Sequence, residues 1–520
     1  MKLTFKRANP AKSVGNKKNT VYLNSSNWDD YSFKTTFEVT LYDSLGGKHD
    51  LGQVKIGYIG QAHSSTEKKM DESFEKLPEN FFSLGQSVDF YRRVCNLPKE
   101  LKENILVVLR DVVHDGSMLL KAKDEPVFKD SLLRGINLSS ITTQFKRVLS
   151  GGAELTDFHF SFKTEPTEVR VGFDLTFDVV PDKKPSQNIH VLIGRNGIGK
   201  TTLLNEMITS LVEQEAKTIR TGQFFDTTKN SKPIHIDKGY FAGVVSVSFS
   251  AFDPFIPPPE SNDDYIEPKY SYIGLKHRSD SKVVSEGTHK DLGSLSAEFV
   301  ESLVGCFGLS SKRDRWFQAI EFLESDQNFA DMNLNRLLQI EDQIKLKESA
   351  KRMFREKMSS GHAIVLLTIT KLVERSEEKT LVIMDEPESH LHPPLLSAFI
   401  RALADLLTKI NGVAIIATHS PVVLQEVPQK CVWKLYRSKL ASESRRPEIE
   451  TFGENVGVLT REVFSLEVDK SGFYDLLSKS VAKGKGYEDI LEEYDDQLGF
   501  EGRAILRALV TNREKISDVS

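Results

Sequence analysis

The feature that most constrains this chain is a glycine-rich stretch at residues 190–204, between an apolar run and a helical pattern. Four residues separate Gly194 from the consecutive Gly199, Lys200 and Thr201, which gives the spacing G-x-x-x-x-G-K-[ST]. Glycines at such a turn let successive backbone N–H groups face an anion, and the N-terminus of the next helix adds a positive field. The pattern therefore predicts a strand, a phosphate-binding loop and a helix, with a nucleoside triphosphate as the ligand.

The side chains of this loop and of the first helical turn have distinct expected roles. Lys200 is expected on the β- and γ-phosphate oxygens, and the Thr201 hydroxyl is expected to bind Mg²⁺. The other predicted nucleotide-binding residues are Gly194, Asn196, Gly197, Gly199 and Thr202. A glycine-rich turn without a ligand is the alternative, and the strand-and-helix context argues against it.

Length, charge and cysteine content place the chain among ordinary globular proteins of two or three domains. It has 520 residues, a net charge of −5 and three cysteines far apart in sequence. A small negative charge gives no overall attraction to nucleic acid, although a basic groove is compatible with it. The cysteine pattern favours reduced thiols, the first residues do not resemble a secretory signal, and the longest apolar run (363–368) is far below the ~20 residues of a membrane span. We therefore expect a cytoplasmic protein without a membrane partner.

Three regions are predicted along the chain. An N-terminal α+β region covers 1–152, an α/β nucleotide-binding core covers 153–440 with a helical insertion at about 257–357, and a helical C-terminal extension covers 441–520. The first region carries no residue pattern typical of catalysis. We expect it to act as a scaffold or as a surface for a partner.

Apolar spacing predicts individual elements within these regions. In the first region we predict a hairpin that turns at Gly46-Gly47, a helix from Pro98 to Gly116 and a helical stretch over 131–149. In the core we predict antiparallel strands at 158–162 and 171–179 that lead into the main sheet, a strand at 243–253, a helix at 334–357, buried parallel strands at 381–385 and 412–418, and a helix at 395–406.

Polar residues follow two of the predicted parallel strands, where each strand ends. Asp385 and Glu386 follow one strand and His419 follows the other. The carboxyl ends of parallel strands meet at one edge of a sheet, so these groups are expected near the phosphate loop. Asp385 is expected to hold Mg²⁺, and Glu386 to accept the proton of the attacking water. An Asp-Glu pair is also common at helix N-termini, and the prediction depends on the whole set.

A second histidine pair, His390 and His392, has the spacing His-x-His. No cysteine or third ligand lies close to it in sequence, so we do not predict a metal at this pair.

The order of these motifs resembles ABC-type ATPases of the SMC, RecF and OLD kind. In this resemblance Gly194–Thr201 is the Walker A motif, 381–385 the Walker B motif, Glu386 the catalytic glutamate and His419 the switch histidine. Segment 388–393 falls at the position of the D-loop. Segment 249–253 falls at that of the Q-loop, but it contains no glutamine, and Ser250 is the candidate substitute. The resemblance implies an α/β ABC-type ATPase fold with ATP and Mg²⁺ as cofactors, and catalytic roles for Lys200, Glu386 and His419.

Residues 358–362 are similar to the signature motif of the same proteins, with Ser359 and Gly361 matching it and with Ser360 and His362 departing from the commonest form. In that family the signature does not meet the nucleotide of its own chain. It binds the γ-phosphate held by a second subunit. The resemblance therefore implies that Ser359 and Gly361 bind ATP across a head-to-tail homodimer or higher oligomer, and that hydrolysis releases it.

Within these ATPases the chain most resembles the PtuA-like ATPases of Septu-type and some retron anti-phage systems. The likeness is carried by residues 385–394, by Ser-Ser-Gly-His at 359–362, and by segments 450–455 and 471–473. It implies a partner nuclease of the HNH type, similar to PtuB. In the retron version a reverse transcriptase and its RNA–DNA product join the complex, and DNA or RNA is a further expected ligand.

Two other functions stay open. An ABC transporter subunit fits poorly, because no membrane span is predicted and the Q-loop glutamine is missing. A RecF-like repair ATPase, which has a short lobe between its motifs, is the stronger alternative. A self-contained OLD nuclease would carry an Asp-x-Asp pair after the switch histidine, and 436–520 contains none. The sequence thus favours a dimerising ATPase that controls an effector on another chain.

Overall fold

The computed structural model describes residues 3–8, 18–152, 155–166, 172–212, 222–228, 234–237, 239–250, 255–260, 268–276, 289–340, 342–438, 441–468 and 472–517. The predicted strand positions Val171 and 251–253, and Ser471 of the C-terminal segment, lie outside these ranges.

Residues 3–149, the N-terminal unit, are built on a six-stranded sheet with the order β5-β1-β2-β3-β4-β6. Its strands are β1 (Thr4–Lys6), β2 (Thr20–Ser25), β3 (Thr36–Tyr42), β4 (Lys48–Tyr58), β5 (Ser73–Phe74) and β6 (Phe81–Gly85). Its helices are α1 (Val88–Cys95), α2 (Lys99–Leu109), α3 (Gly116–Ala122), α4 (Leu138–Ser140) and α5 (Lys146–Leu149), with π-helical turns at Phe128–Leu132 and Ile141–Phe145. Apolar side chains from the sheet and these helices form one buried cluster.

The predicted hairpin is confirmed, because β3 and β4 pair antiparallel with Phe37 opposite Val54. The predicted helix from Pro98 to Gly116 is wrong at its C-terminal end. Arg110 adopts a left-handed conformation with φ 54°, which stops α2 at Leu109. The helical stretch predicted over 131–149 is divided, and its longer part runs from α4 through a π-helical turn into α5.

The central region, residues 155–445, contains a seven-stranded sheet and a four-stranded sheet. Its strands are β7 (Phe158–Thr164), β8 (Phe173–Val179), β9 (Ile189–Gly194), β10 (Gln223–Asp226), β11 (Ile234–His235), β12 (Gly243–Ser248), β13 (Lys269–Gly274), β14 (Thr380–Asp385), β15 (Val413–Thr418), β16 (Val432–Ser438) and β17 (Ala441–Arg445). Its helices are α6 (Lys200–Val212), α7 (Leu292–Phe307), α8 (Ser310–Leu323), α9 (Gln327–Met332), α10 (Gln343–Glu356), α11 (Ser360–Arg375), α12 (Pro393–Lys409) and α13 (Pro421–Leu424).

The seven-stranded sheet has the order β13-β12-β14-β15-β9-β16-β17, and every neighbouring pair is parallel except β16 with β17. Helices α7, α8, α11 and α12 bury one face of it, and α6 and the four-stranded sheet bury the other. Coverage on both faces explains why β9, β14 and β15 read as continuous apolar runs. The predicted strands at 381–385 and 412–418 and the helix after Pro393 are confirmed.

Three predictions for the central region are corrected. Strands β7 and β8 do not join the main sheet; they belong to the four-stranded sheet β11-β10-β7-β8, whose phenylalanines pack on α6. Lys269–Gly274, inside the predicted helical insertion, forms the edge strand β13. The helix predicted at 334–357 is a 3-10 helix at Leu334–Gln339 followed by α10, whose first turn is capped by Asp342.

Residues after β17 form α14 (Val456–Val468), α15 (Gly472–Ala482), α16 (Tyr487–Glu493) and α17 (Phe500–Ser517). The last three helices share a small apolar cluster centred on Leu477, Ile490 and Leu506. Segment 441–445, predicted as part of a helical extension, is instead the strand β17. In the ranges that the structure describes, no helix has the length and apolar character needed to cross a membrane.

Candidate functional site

The phosphate loop connects β9 to α6, as its sequence predicts. Gly197 and Gly199 have φ values of 78° and 97°, in the left-handed region that glycine adopts at little cost. A Cβ atom on Gly194 would lie 2.5 Å from the carbonyl oxygen of Leu435 on the neighbouring β16. The three glycines are therefore required by backbone conformation and by strand packing. Asn196 and Thr202 lie on the exposed side of the loop and of the first helical turn.

Lys200 is folded back over this loop. Its side chain is buried, and Nζ donates hydrogen bonds to the carbonyl oxygens of Gly194 at 2.9 Å and Arg195 at 3.1 Å. Burial lowers the pKa of Lys200, and the carboxylates of Glu386, Asp385 and Glu388 oppose that shift. The ammonium group is thus held by carbonyl oxygens of the loop, and the three carboxylates stabilise its charge.

Thr201 and Asp385 meet across the sheet edge. The Thr201 hydroxyl donates a hydrogen bond of 2.7 Å to Oδ2 of Asp385, although the two residues are 184 positions apart. Mg²⁺ binds oxygen ligands at 2.0–2.1 Å in octahedral geometry, so adjacent ligand oxygens lie about 2.9 Å apart. The two oxygens therefore have the chemistry and nearly the separation of two Mg²⁺ ligands.

Glu386, the residue after Asp385, has a strained backbone conformation. Its φ and ψ are 44° and 60°, and its N–H donates to the carbonyl of Ala417 on β15 at 2.9 Å. The turn aims the side chain toward His419, whose Nδ1 lies 3.5 Å from Oε1 of Glu386. A left-handed conformation is uncommon for a residue other than glycine, and such strain concentrates at functional sites.

Glu388 contacts the residues of this site, although we did not predict it as part of the site. Its Oε1 accepts hydrogen bonds from the Thr418 hydroxyl at 2.6 Å and from the backbone N–H of His419 at 2.8 Å, and it lies 3.1 Å from Nδ1 of His419. Its carboxylate is buried, so it holds the end of β15 and the histidine ring in place. The available signal was the second acidic residue of Asp-Glu-Pro-Glu, which we assigned to the D-loop.

The predicted signature residues lie at the start of α11. Ser359 is the exposed N-cap residue, and its Oγ lies 2.6 Å from Nδ1 of His362. A Cβ atom on Gly361 would be 2.5 Å from the carbonyl oxygen of His390, so only glycine lets α11 pack on the 3-10 turn at Pro387–His390. Ser250 follows β12 two residues after Ser248, which pairs in register with Asp385. Its proposed substitution for the Q-loop glutamine stays a prediction.

The structure brings Lys200, Thr201, Asp385, Glu386 and His419 to one edge of the sheet. The contacts described above join them in a single group. Ser359 and Gly361 form a second group, against the turn that follows Glu386. The nucleotide and metal roles of all these residues stay predictions. Their arrangement supplies a phosphate loop, two adjacent oxygens with the chemistry of Mg²⁺ ligands, and a carboxylate that can accept a proton.

Two comparisons with known protein sequences show what the chain is similar to. Residues 253–425 match the family model described as “AAA domain, putative AbiEii toxin, Type IV TA system”. Protein ea59 of Escherichia phage lambda is 47% identical over 514 residues, which is 96% of this chain and 96% of that protein.

Solved structures similar to the chain include ATP-binding cassettes. The ADP conformation of MJ1267, from an ABC transporter, is 17% identical over 52% of this chain and 85% of its own, with a TM-score of 0.27. The cbiO1 protein of Clostridium perfringens, part of the transporter complex cbiONQ, is 15% identical over 54% of this chain and 84% of its own, also with a TM-score of 0.27.

Proposed function

The chain belongs to the family of protein ea59 of Escherichia phage lambda, and we propose that it is an ATPase whose ATP-bound form assembles head to tail. Its core is an α/β P-loop ATPase of the ABC type. The proposal concerns how that core uses ATP, and it rests chiefly on the group formed by Thr201, Asp385 and Glu386 at the end of the phosphate loop.

In this proposal each residue of the group has one task. Lys200 and the loop N–H groups bind the β- and γ-phosphates, while Thr201 and Asp385 hold Mg²⁺. The ion, when bound, neutralises charge that builds up on the phosphate oxygens. Glu386 accepts the proton of the attacking water, and His419, fixed by Glu388, lies next to that carboxylate.

Assembly is proposed from the position of the signature. Ser359 is exposed at the positive end of a 16-residue helix, which favours an anion. In proteins with this motif order the anion is the γ-phosphate of a second copy. Two ATP molecules would then be buried between two chains, and hydrolysis would weaken the contact.

We further propose that this assembly controls an effector in phage–bacterium conflict. The relative ea59 is a phage protein, and the matched family model is named for a toxin of a type IV toxin–antitoxin system. Together with the resemblance to PtuA-like ATPases, this favours an HNH nuclease similar to PtuB as the partner. A reverse transcriptase with its RNA–DNA product is the additional partner if the system is of the retron kind.

The assembly is tested with the Glu386→Gln variant. This variant retains the phosphate loop and lacks the proton acceptor, so we expect it to bind ATP, to hydrolyse it at least a hundredfold more slowly and to elute as a dimer. Light scattering after gel filtration, with and without Mg-ATP, measures the mass. Ser359→Arg in the same background is the matched control, which should bind ATP and stay monomeric. A monomeric Glu386→Gln variant at saturating ATP would contradict the proposal.

The effector is tested by purifying the chain from a host that carries its neighbouring genes. Co-elution of an HNH protein, with nuclease activity only in the complex, would support the partner. Cleavage of DNA or RNA by the purified chain alone would contradict it, and ATP-dependent DNA binding without a nuclease partner would favour the RecF-like alternative.

A further inference from the structure

A buried carboxylate connects the proposed signature to two other elements. Asp326 caps the N-terminus of α9, where its Oδ1 accepts the N–H of Phe329 at 3.2 Å. The same oxygen lies 3.1 Å from Nε2 of His362 on α11, and Oδ2 lies 3.3 Å from Nε2 of His392 at the N-terminus of α12. Asp326 and His362 are 8% and 6% exposed, respectively. One side chain therefore joins α9, α11 and α12.

The hydrogen bonds around His362 indicate which of its ring nitrogens carries a hydrogen. Burial raises the pKa of Asp326, but the hydrogen bonds from His362 and the Phe329 N–H, with the charge of the two imidazoles, hold it below its ordinary value. The carboxylate can then only accept, so Nε2 of His362 must carry a hydrogen. In a neutral imidazole Nδ1 is consequently an acceptor, and the Ser359 hydroxyl must donate to it across 2.6 Å.

Two histidines and an aspartate also form a metal-ligand set, and their nitrogen and oxygen atoms converge within 4.8 Å. The surrounding hydrogen bonds favour the proton-bearing arrangement over a metal. Nδ1 of His392 accepts the N–H of Leu395 at 3.4 Å as the cap of α12, which places the ring proton on Nε2. That is the atom a metal would need.

This proton order conflicts with anion binding by Ser359. While its hydrogen points to His362, the hydroxyl presents lone pairs to an approaching phosphate. The hydroxyl must turn to donate to the phosphate, and Nδ1 of His362 then loses its donor. A simple tautomer shift would leave Nε2 without a hydrogen against the Asp326 carboxylate, which is repulsive. Binding a proton from solvent at Nδ1 avoids both conflicts, because the imidazolium donates to Ser359 and to Asp326.

We propose that Asp326 and His362 position the Ser359 hydroxyl, so that the γ-phosphate of a second subunit is bound together with one proton taken up by His362. The inference rests on the head-to-tail assembly proposed above. Among the residues that the structure describes, the titratable groups that face His362 are Asp326 from the start of α9 and His392 from the start of α12, with the Phe329 ring packed beside it. The added positive charge lies between the carboxylate and the phosphate, and both stabilise it.

The experiment measures ATP-dependent dimerisation of Glu386→Gln protein between pH 6 and 9 by analytical ultracentrifugation. If each ATP site takes up one proton on assembly, assembly should weaken as the pH rises, by up to about tenfold per site for each pH unit. His362→Asn should assemble with a clearly weaker pH dependence, since an amide can turn either of its ends to Ser359 without a proton. Asp326→Asn should behave in the same way, because Asn retains the α9 cap and can donate to Nε2.

His392→Asn is the matched control, because Asn keeps the α12 cap and removes a group that contacts Asp326 but not Ser359. It should retain the pH dependence of the parent protein. Equal pH dependence in the parent and in both test variants would overturn the inference while leaving ATP-driven assembly intact. Absence of a dimer at every pH would instead contradict the assembly itself.

Zinc analysis of the full chain tests the alternative that Asp326, His362 and His392 bind a metal ion. We expect no stoichiometric zinc after dialysis against zinc-containing buffer. Zinc retained by the parent protein at one ion per chain, and lost in His362→Asn, would overturn the proton-linked role.

Discussion

At the scale of single residues, the site combines side chains whose spacing is visible in the sequence with others that act through folded contacts. The phosphate loop and the Asp385-Glu386 pair could be predicted because each is a local pattern next to an apolar strand. Glu388 and Asp326 could not, because their partners His419 and His362 are 31 and 36 positions away and only the packing of strands and helices brings them together.

Glu386 adopts a left-handed backbone conformation that is unfavourable for its residue type, while its proposed role requires a carboxylate at this position. A left-handed conformation costs roughly 1 kcal/mol for a residue with a Cβ atom and more for a β-branched one. We expect Glu386→Gly to keep the free energy of unfolding within about 1 kcal/mol of the parent value, since relief of strain offsets the added freedom of the unfolded chain. Glu386→Val should destabilise by about 1–2 kcal/mol more. Urea unfolding checks both, and equal stability of the two variants would refute the strain.

Glu388 gives a prediction about activity. Glu388→Ala removes the acceptor of two hydrogen bonds, from the Thr418 hydroxyl and the His419 N–H, and the carboxylate next to the His419 ring, so we expect ATP turnover to fall at least tenfold. Affinity for ATP should change less than twofold, because the phosphate loop is untouched. Turnover and nucleotide binding are compared with Glu103→Ala, a change on the exposed face of α2. A turnover equal to that control would remove Glu388 from the site.

At the scale of elements, the predictions succeeded where a single pattern persisted and failed where tertiary contacts decided. Strands β14 and β15 are buried on both faces and have the apolar runs that such burial requires. Strand β13 was missed because six residues inside a mostly helical stretch become a strand only by pairing with β12. Helix α2 ends at Leu109 because Arg110 adopts a left-handed conformation, whereas we expected the helix to continue to Gly116.

Helix α11 can pack closely on the turn after Glu386 because Gly361 has no side chain. Gly361→Ala would place that atom 2.5 Å from the His390 carbonyl, so the helix or the turn must move. We expect a loss of about 1–3 kcal/mol of stability together with reduced ATP-driven assembly. Gly116→Ala, at the start of α3 with open space around its Cβ, is the matched control and should be neutral or slightly stabilising. Thermal unfolding distinguishes them, and identical shifts would rule out the steric explanation.

At the scale of the whole molecule, the N-terminal unit contacts the segment between α11 and β14, beyond the end of α11 that lies farthest from Ser359. Arg147 forms an ion pair of 2.6 Å with Glu378, just beyond α11, and the Glu378 side chain is buried. The N–H of Ser310 donates to Gln53 of β4 at 2.9 Å, and the Trp28 ring lies so close to Gly308 that a Cβ atom there would be 2.6 Å from its Nε1. These contacts tie the unit to helices α7 and α8 as well.

Loss of the Arg147–Glu378 pair should have a defined pH dependence. Burial raises the pKa of Glu378, and the Arg147 guanidinium opposes that shift. Without Arg147 the folded-state pKa rises further, so folding binds a proton and stability increases as pH falls through that value. We expect Arg147→Ala to lose about 1–3 kcal/mol at pH 8 and less at pH 5. Chemical unfolding at the two pH values measures this, Arg147→Ala with Glu378→Gln should recover much of the loss, and a loss independent of pH would contradict the assignment.

Helix α11 has a consequence for how the molecule can be controlled. Its 16 residues span about 24 Å, and they separate Ser359 at one end from the segment that contacts the N-terminal unit at the other. In the proposed assembly, a second copy contacts the Ser359 end of the helix. Because the helix is rigid, a displacement at that end also moves its other end, which is distant from the bound nucleotide. Thermodynamic linkage requires that this coupling also acts in the opposite direction, from the N-terminal unit to the nucleotide site. A molecule that binds the N-terminal unit more tightly in the assembled form must raise the affinity for ATP by the same factor. If the proposed effector binds there, it also lowers the ATP concentration at which the chain assembles.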